Sequence, residues 1–295
     1  MLSFSKLTLD DRHWAKEILM QSGLNGCEYT FGCAIVWNGY YKTYAAHFED
    51  FIIYRYSEEQ NRYAFPAGKG DIKKAIDQII EDAQRSGKAF SIRGITEREL
   101  PVFEKYYRDK FTFTETPESF DYIYNQSDLM NLSGKKYHSK RNHISSFLRT
   151  YENWSYEEIT EQNISECKEM LDCWYKENID ENSESLKEER LALFKGLEIF
   201  FSVPFVGGFL RIDNNIVALT FGEALNDKNF VVHFEKALDI KGAYAMINRE
   251  FVSHSLQGYE YINREEDLGI EGIRKAKLSY HPAIILKKYE ARLKP

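Results

Sequence analysis

The chain has 295 residues, with 39 Lys and Arg against 46 Asp and Glu, a net charge of −7. Its length and its 43% hydrophobic and 29% charged content are those of one large or two medium globular domains, which excludes extended disorder. The acidic balance excludes a broad nucleic-acid footprint, and 15% aromatic content points to large packed faces or an aromatic-lined cleft.

The opening MLSFSKLTLDDRHW lacks the basic region and apolar core of a signal peptide. No apolar run approaches the roughly 18 residues of a membrane span. Cys27, Cys33, Cys167 and Cys173 form two pairs six apart, which is neither a metal knuckle nor a dense disulfide framework. These features predict a cytoplasmic protein with reduced thiols, no integral membrane segment and no required metal.

In chain order, a helix is predicted over 9–21, with Trp14, Ile18 and Leu19 at helical spacing after Asp10 and Asp11. The apolar segment 29–37 reads as a second helix, with a strand as the alternative. Three strand-like runs follow, YKTYAAHF, FIIYRYS and RYAFP, then a helix over 71–85 with Ile72, Ala75, Ile76, Ile79 and Ile80 on one face. Strand AFSIRG, a helix over 97–107 and strand FTFTE complete the first half.

The second half repeats that order. Helices are predicted over 164–176 and, after an acidic serine-containing loop, over 186–201; strands VPFVGGFLRI, NIVALTFGEAL and NFVVHFE follow. A helix over 242–255, strand YEYINR, a helix over 269–278 and a last strand around AIILKKYEARL end the chain. Both halves read α-α-β-β-β-α-β-α-β, which predicts a duplicated α+β (mixed α/β) domain, each copy a mixed sheet flanked by helices. That element order is the one of the acetyltransferase-like (GNAT) fold, with domains at 1–132 and 133–295. A basic helix over 134–151 leads into the second. In that helix Tyr137, Ile144, Leu148 and Tyr151 form the expected buried stripe, with Ser133 as cap, and Lys135 and Lys136 stand in the first turn against the helix dipole.

Four segments, FPAGKGDI (65–72), LSGKKYHSKRNHISSF (132–147), HFEKALDIKGAYAMINREF (233–251) and YINREEDLGIEGIRKAKLSYHP (261–282), resemble the soluble proteins related to the C-terminal catalytic domain of phosphatidylglycerol lysyltransferases. The resemblance runs from about residue 29 to the end of the chain. It implies tandem GNAT-fold architecture and transfer of an acyl or aminoacyl group to an amine or hydroxyl, with acyl-CoA or aminoacyl-tRNA as co-substrate. The alternative is a non-catalytic GNAT-like module that senses a phosphate-bearing nucleotide or acyl-carrier ligand, because neither half has the Arg or Gln of the GNAT signature loop.

Candidate site residues fall at strand-to-helix junctions, where free backbone N–H groups favour an anion. Gly68, Lys69 and Gly70 in the first half and Gly242 in the second are the candidate cofactor-binding residues; a plain tight turn with Asp71 as N-cap is the other reading of the first loop. Asp239 stands where the signature wants a cation, which favours a donor carrying a positive amine. His233 and Glu235 alternate on one strand, so they should share a face and act as an acid–base pair, unless His233 is a buried residue satisfied by Glu235. Tyr280 is the third catalytic candidate, and otherwise a core tyrosine. Asn263, Glu265 and Asp267 are candidates for the substrate ammonium, on a loop that also reads as solvated charge. Lys136, Lys140, Arg141 and His143 are candidates for a phosphate, with a local tRNA contact as the partner they would serve.

Overall fold

A computed structural model describes residues 2–56, 61–179 and 184–294. Residues 180–183 of the expected acidic loop lie outside the described residues. No described helix is long and apolar enough to cross a membrane.

The chain divides into two compact units, one made of Met1–Asp121, Glu266–Arg274 and Ile285–Pro295, the other of Tyr122–Glu265 and Lys275–Ile284. A contiguous boundary at 132/133 therefore does not describe them. Each unit is a mixed sheet with flanking helices, as expected.

The first sheet runs, in spatial order, through Ser5–Lys6, Thr43–Phe48, Phe51–Tyr56, Arg62–Ala64, Ser91–Ile95, Tyr289–Leu293 and Phe111–Glu115, with Ala67–Gly68 paired to Phe51–Tyr56. Among the described residues of this sheet, only Arg62–Ala64 and Ser91–Ile95 pair in parallel, as the intervening helix Ile72–Ser86 requires. That helix starts where Asp71 accepts the Lys74 N–H at 3.2 Å and stops at Gly87, which takes the left-handed conformation. Ala75, Ile76, Ile79 and Ala83 form its buried face, and burying each of the two isoleucines stabilises the unit by roughly 1.5–3 kcal/mol. The segment 29–37 is helical over Phe31–Val36, which settles the helix-or-strand alternative.

The second sheet runs Ile284–Leu286, Asp121–Asn125, Tyr261–Asn263, Asn229–Ala237, Asn215–Ala224, Val206–Ile212 and Trp154–Glu158. Helix Ala243–Ser255 lies against it and buries Ala245, Met246, Ile247, Phe251 and Val252 in a core shared with Phe230, Val232 and Ile262. Two of these strands, Asp121–Asn125 and Trp154–Glu158, are absent from the sequence reading. The first follows directly on the first half of the chain but serves the second sheet. The C-terminal strand Tyr289–Leu293 does the reverse, lying between Ser91–Ile95 and Phe111–Glu115 of the first sheet. Each unit thus takes one strand from the other half of the chain.

The basic segment is not one continuous α-helix. Gly134 opens a 3-10 turn over Lys135–Tyr137, and the α-helix is His138–Thr150 without a side-chain cap, so Ser133 is no cap and Lys135 and Lys136 precede the first α-turn. The conflict with the dipole is correspondingly smaller. Tyr137, Ile144 and Phe147 are buried, whereas Leu148 is 41% exposed. The start of helix Ala243–Ser255 crosses at His143 and Phe147, which draws Phe147 inward and leaves Leu148 outside.

Candidate functional site

The second unit carries a cluster of charged side chains around the end of strand Asn229–Ala237. Strands Asn229–Ala237 and Tyr261–Asn263 pair in parallel over three residues only, ending at Val231 with Asn263. Past that point side chains join them instead of backbone. His233 Nδ1 lies 2.7 Å from Glu265 Oε1, and Arg264 Nη2 lies 2.8 Å from Glu235 Oε1.

His233 and Glu235 do not share a face. The register of Asn229–Ala237 against Asn215–Ala224 shifts between Phe221 and Gly222, pairing Val232 with Gly222 and Phe234 with Phe221 and leaving His233 as the extra residue of a bulge. The alternation reverses there. His233 turns to Glu223, 3.1 Å from its Nε2, while Glu235 stands opposite Thr220 and accepts from Asn248 Nδ2 at 3.2 Å. Both ring nitrogens of His233 therefore serve carboxylates, and neither serves Glu235. Burial opposes the imidazolium, but Glu223 and Glu265 outweigh it and raise the His233 pKa to about 9. A ring held doubly protonated is a poor general base near neutral pH, so the acid–base pair expected from alternation is not formed.

Around Glu235 a second group assembles. Arg264 is half-buried, with its guanidinium carbon 4.9 Å from the Tyr280 ring centroid and 5.8 Å from that of Tyr124. Lys140 Nζ stands 3.8 Å from the Tyr280 centroid and has no hydrogen-bond or ion-pair partner among the described residues. Burial, with the positive charge of Arg264, lowers the Lys140 pKa to about 8 against the pull of Glu235. Burial pushes the Tyr280 hydroxyl up, so it stays protonated. The arrangement can hold an oxygen-rich group, offer an amine that is partly neutral near pH 8, and donate a proton from a phenol.

The remaining predicted residues do other work. In this unit, Arg141 donates to the Leu132 and Gly134 carbonyls and closes the end of helix Gln126–Asn131. Lys136 faces Asp128 at 3.6 Å, His143 is exposed, and Asn263 accepts the Glu265 N–H at 2.8 Å. A Cβ on Gly242 would lie 2.4 Å from the His143 carbonyl oxygen, so that glycine is explained by helix packing. In the first unit, a Cβ on Gly68 would lie 2.1 Å from the Asp50 carbonyl oxygen, and Gly68 pairs with Phe51 as part of the sheet; Lys69 and Gly70 are exposed beside it. Asp267 is buried and bound by Arg274 Nε at 2.6 Å, which leaves it no ammonium to recruit.

The first unit holds its own charged centre. Cys27, Glu28 and Asp121 place ligand atoms within 4.8 Å of one another, a set able to hold a metal. Lys288 Nζ lies 2.7 Å from Glu28 Oε2 and 2.8 Å from Asp121 Oδ1, so an ammonium already supplies the cation.

Sequence reading missed Thr220, Glu223, Asn248, Arg264, Asp121 and Lys288. One signal was available for three of them. Thr220 and Glu223 interrupt the apolar run NIVALTFGEAL, and Asn248 interrupts the buried face of AYAMINREF. A polar residue inside a buried run must find a partner or a ligand.

Comparison with known proteins places the chain. The family described as phosphatidylglycerol lysyltransferase, C-terminal, matches residues 20–292. A conserved protein of unknown function from Bacteroides thetaiotaomicron is 42% identical over 100% of both chains, with a TM-score of 0.95. The L-PGS of Bacillus licheniformis has a TM-score of 0.69 at 15% identity, covering 96% of this chain and 92% of that one, a likeness of fold. An uncharacterised protein of Mycoplasmoides gallisepticum is 26% identical over 179 residues, 58% of this chain and 55% of that protein's length.

Proposed function

The chain belongs to the phosphatidylglycerol lysyltransferase C-terminal family, within the aminoacyl- and acyltransferase superfamily, and from that membership we propose that its second unit transfers an aminoacyl group from aminoacyl-tRNA to an amine or hydroxyl acceptor. The observation that carries the reading is the unpaired Lys140 ammonium, lowered to a pKa of about 8, over the ring of a buried, protonated Tyr280 beside Arg264. Such groups suit an ester transfer.

In the proposed step, the acceptor nitrogen or oxygen bonds to the ester carbonyl carbon and gives its proton to neutral Lys140. Arg264 holds the carbonyl oxygen as it gains negative charge. The ester C–O bond breaks, and the leaving ribose oxygen takes the Tyr280 proton, which Lys140 returns. Binding positions the reactants, and the half-buried guanidinium of Arg264 favours the oxyanion.

The test is to incubate the purified protein with aminoacyl-tRNA labelled in its amino acid, against a panel of amines, hydroxyl compounds and anionic lipid vesicles. The expected result is ester loss above the spontaneous rate with label appearing in one acceptor, and loss of that activity in Lys140→Met and Tyr280→Phe. No acceleration with any donor and acceptor pair would overturn the reading.

A further inference from the structure

One face of the first sheet is rich in arginine. Arg62, Ser91, Arg292 and Thr112 form a row across four adjacent strands, since Ser91 is the register partner of both Arg62 and Arg292, and Arg292 that of Thr112. The neighbouring row, Tyr63, Ile92, Ala291 and Phe113, points the other way. Tyr63 donates to Asp82 of helix Ile72–Ser86 at 2.7 Å, and Phe113 packs on Phe103 of helix Leu100–Tyr107, with ring centroids 5.4 Å apart. The arginine row therefore faces away from both helices. Arg62 is half-buried, and Arg292 and Thr112 are exposed. A bulge adds a third arginine, because Arg93 and Gly94, the latter at φ +70°, stand opposite the single residue Glu290.

Charge on this face does not balance. Glu290 is buried and accepts from Arg93 Nε at 3.2 Å and from Arg292 Nη2 at 3.1 Å. Burial disfavours its charged form, but hydrogen bonds from Ser91, Arg93 and Arg292 outweigh it and hold the carboxyl below its usual range. One carboxylate thus serves two guanidiniums. Arg62 has no hydrogen-bond or ion-pair partner among the described residues, and burial with the like charges of Arg93 and Arg292 lowers its pKa against the pull of Glu290. Glu28, the carboxylate beside Gly94, is held by Lys288 at 2.7 Å. Three guanidiniums against Glu290 leave two positive charges in excess.

We infer that Arg62, Arg93 and Arg292 bind the phosphate of a small phosphomonoester, whose dianion matches the two excess charges. Guanidinium forks pair with phosphate oxygens through parallel hydrogen bonds, and Glu290 holds two of the three forks in place before a ligand arrives. A phosphodiester carries one charge and would leave one cation unmatched. The inference does not depend on the transferase reading of the second unit, because none of these residues takes part in the proposed transfer.

The test is titration of the whole protein, by calorimetry or ligand-observed NMR, with inorganic phosphate, a sugar phosphate and adenosine monophosphate. Phenyl phosphate is compared with methyl phenyl phosphate, a diester of similar shape. The first three supply the same dianion, so the tightest of them identifies the source. Phenyl phosphate is expected to bind about tenfold more tightly than the diester, the difference that one matched charge makes. Arg62→Gln and Arg292→Gln should each weaken the binding of phenyl phosphate about tenfold. The melting temperature of Arg62→Gln should hold or rise, since a like-charge contact is relieved. If Arg292→Gln loses stability, Arg62→Gln decides alone. No binding of any dianion, equal binding of monoester and diester, or unchanged affinity in Arg62→Gln overturns the inference. So does loss of binding in Lys140→Met with Arg62→Gln unaffected, which would put the phosphate in the second unit.

Discussion

His233 lies between Glu265, 2.7 Å from its Nδ1, and Glu223, 3.1 Å from its Nε2, and this arrangement ties the end of strand Tyr261–Asn263 to strands Asn215–Ala224 and Asn229–Ala237. The folded pKa of about 9 lies above the unfolded value near 6.5, so the imidazolium stabilises the fold fully below about pH 6.5 and the contribution is lost as pH rises through 9. The shift corresponds to stabilisation on the order of 3 kcal/mol. Denaturant unfolding of the wild type should therefore show stability falling between pH 7 and pH 10 in the sense given by this group. His233→Gln, which keeps hydrogen bonding and loses the charge, should be less stable at pH 7 and should flatten that fall. An unchanged slope in the variant would show that His233 is neutral in the folded protein.

The buried ion cluster of the first unit gives a prediction of a different kind. Lys288 lies within hydrogen-bond reach of both Glu28 and Asp121, and Asp121 is 0% exposed. Removing one partner of a buried pair leaves a stranded charge, at a cost of about 3–5 kcal/mol. Lys288→Met should destabilise by that amount in chemical denaturation. Adding Asp121→Asn should recover part of the loss, because the stranded negative charge is reduced; a double variant no better than the single would mean that packing of the lysine stem, not charge, is what was lost.

Exchange of strands makes the two halves of the chain dependent on each other for their sheets. Tyr289–Leu293 pairs on both sides, with Ser91–Ile95 and with Phe111–Glu115, so it is an interior strand of the first sheet. A fragment 1–132 lacks it, and so does a chain cut after 284. Both should show lost near-ultraviolet dichroism and poor dispersion of amide resonances. A fragment 1–132 that folds cooperatively would contradict the exchange.

What was legible in the sequence is what local periodicity encodes. Alternation and 3.6-residue spacing located the helices and the long apolar strands, and element order gave the duplicated fold. Choice of strand partner is not local. DYIYN reads as a short polar-flanked segment, WSYEE has little alternation to detect, and nothing in YEARL marks it for a sheet whose other strands end by residue 115. The site failed for a related reason. Period-2 reasoning put His233 and Glu235 on one face, and a single bulged residue opposite Phe221 and Gly222 reversed it. Charged residues were noticed where they clustered in loops, and Arg141 and Asp267 proved to be bound within the fold. The buried polar residues Thr220, Glu223 and Asn248 were single polar positions in apolar runs.

Gly242 and Gly134 separate crowding from backbone strain. Both have φ of +86°, but a Cβ on Gly242 meets the His143 carbonyl oxygen at 2.4 Å and a Cβ on Gly134 meets nothing within 4 Å. Gly134→Ala should cost about 1 kcal/mol, from conformation alone. Gly242→Ala must also push helix His138–Thr150 away, and should cost roughly 2–4 kcal/mol. Equal destabilisation of the two in urea titrations would show that the helices separate without penalty.

Three cations of the basic segment, Arg141, Lys136 and Lys140, have different surroundings. Arg141 caps the carbonyls of Leu132 and Gly134, so Arg141→Ala should lower stability by roughly 1–2 kcal/mol and leave the affinity for donor unchanged. Lys136 makes an exposed pair with Asp128, and Lys136→Ala should change stability by less than about 1 kcal/mol. Lys140 is different because its Nζ, over the Tyr280 ring, has no anionic partner to lose. Lys140→Met should leave stability unchanged or raise it slightly, since a half-buried charge is removed. Its effect should appear in the rate. If neutral Lys140 accepts the acceptor's proton, transfer in the wild type rises with pH through a value near 8, and Lys140→Met lowers the rate and removes that rise. A variant that is slow but keeps the same pH profile would place the base elsewhere and leave Lys140 as a binding residue only.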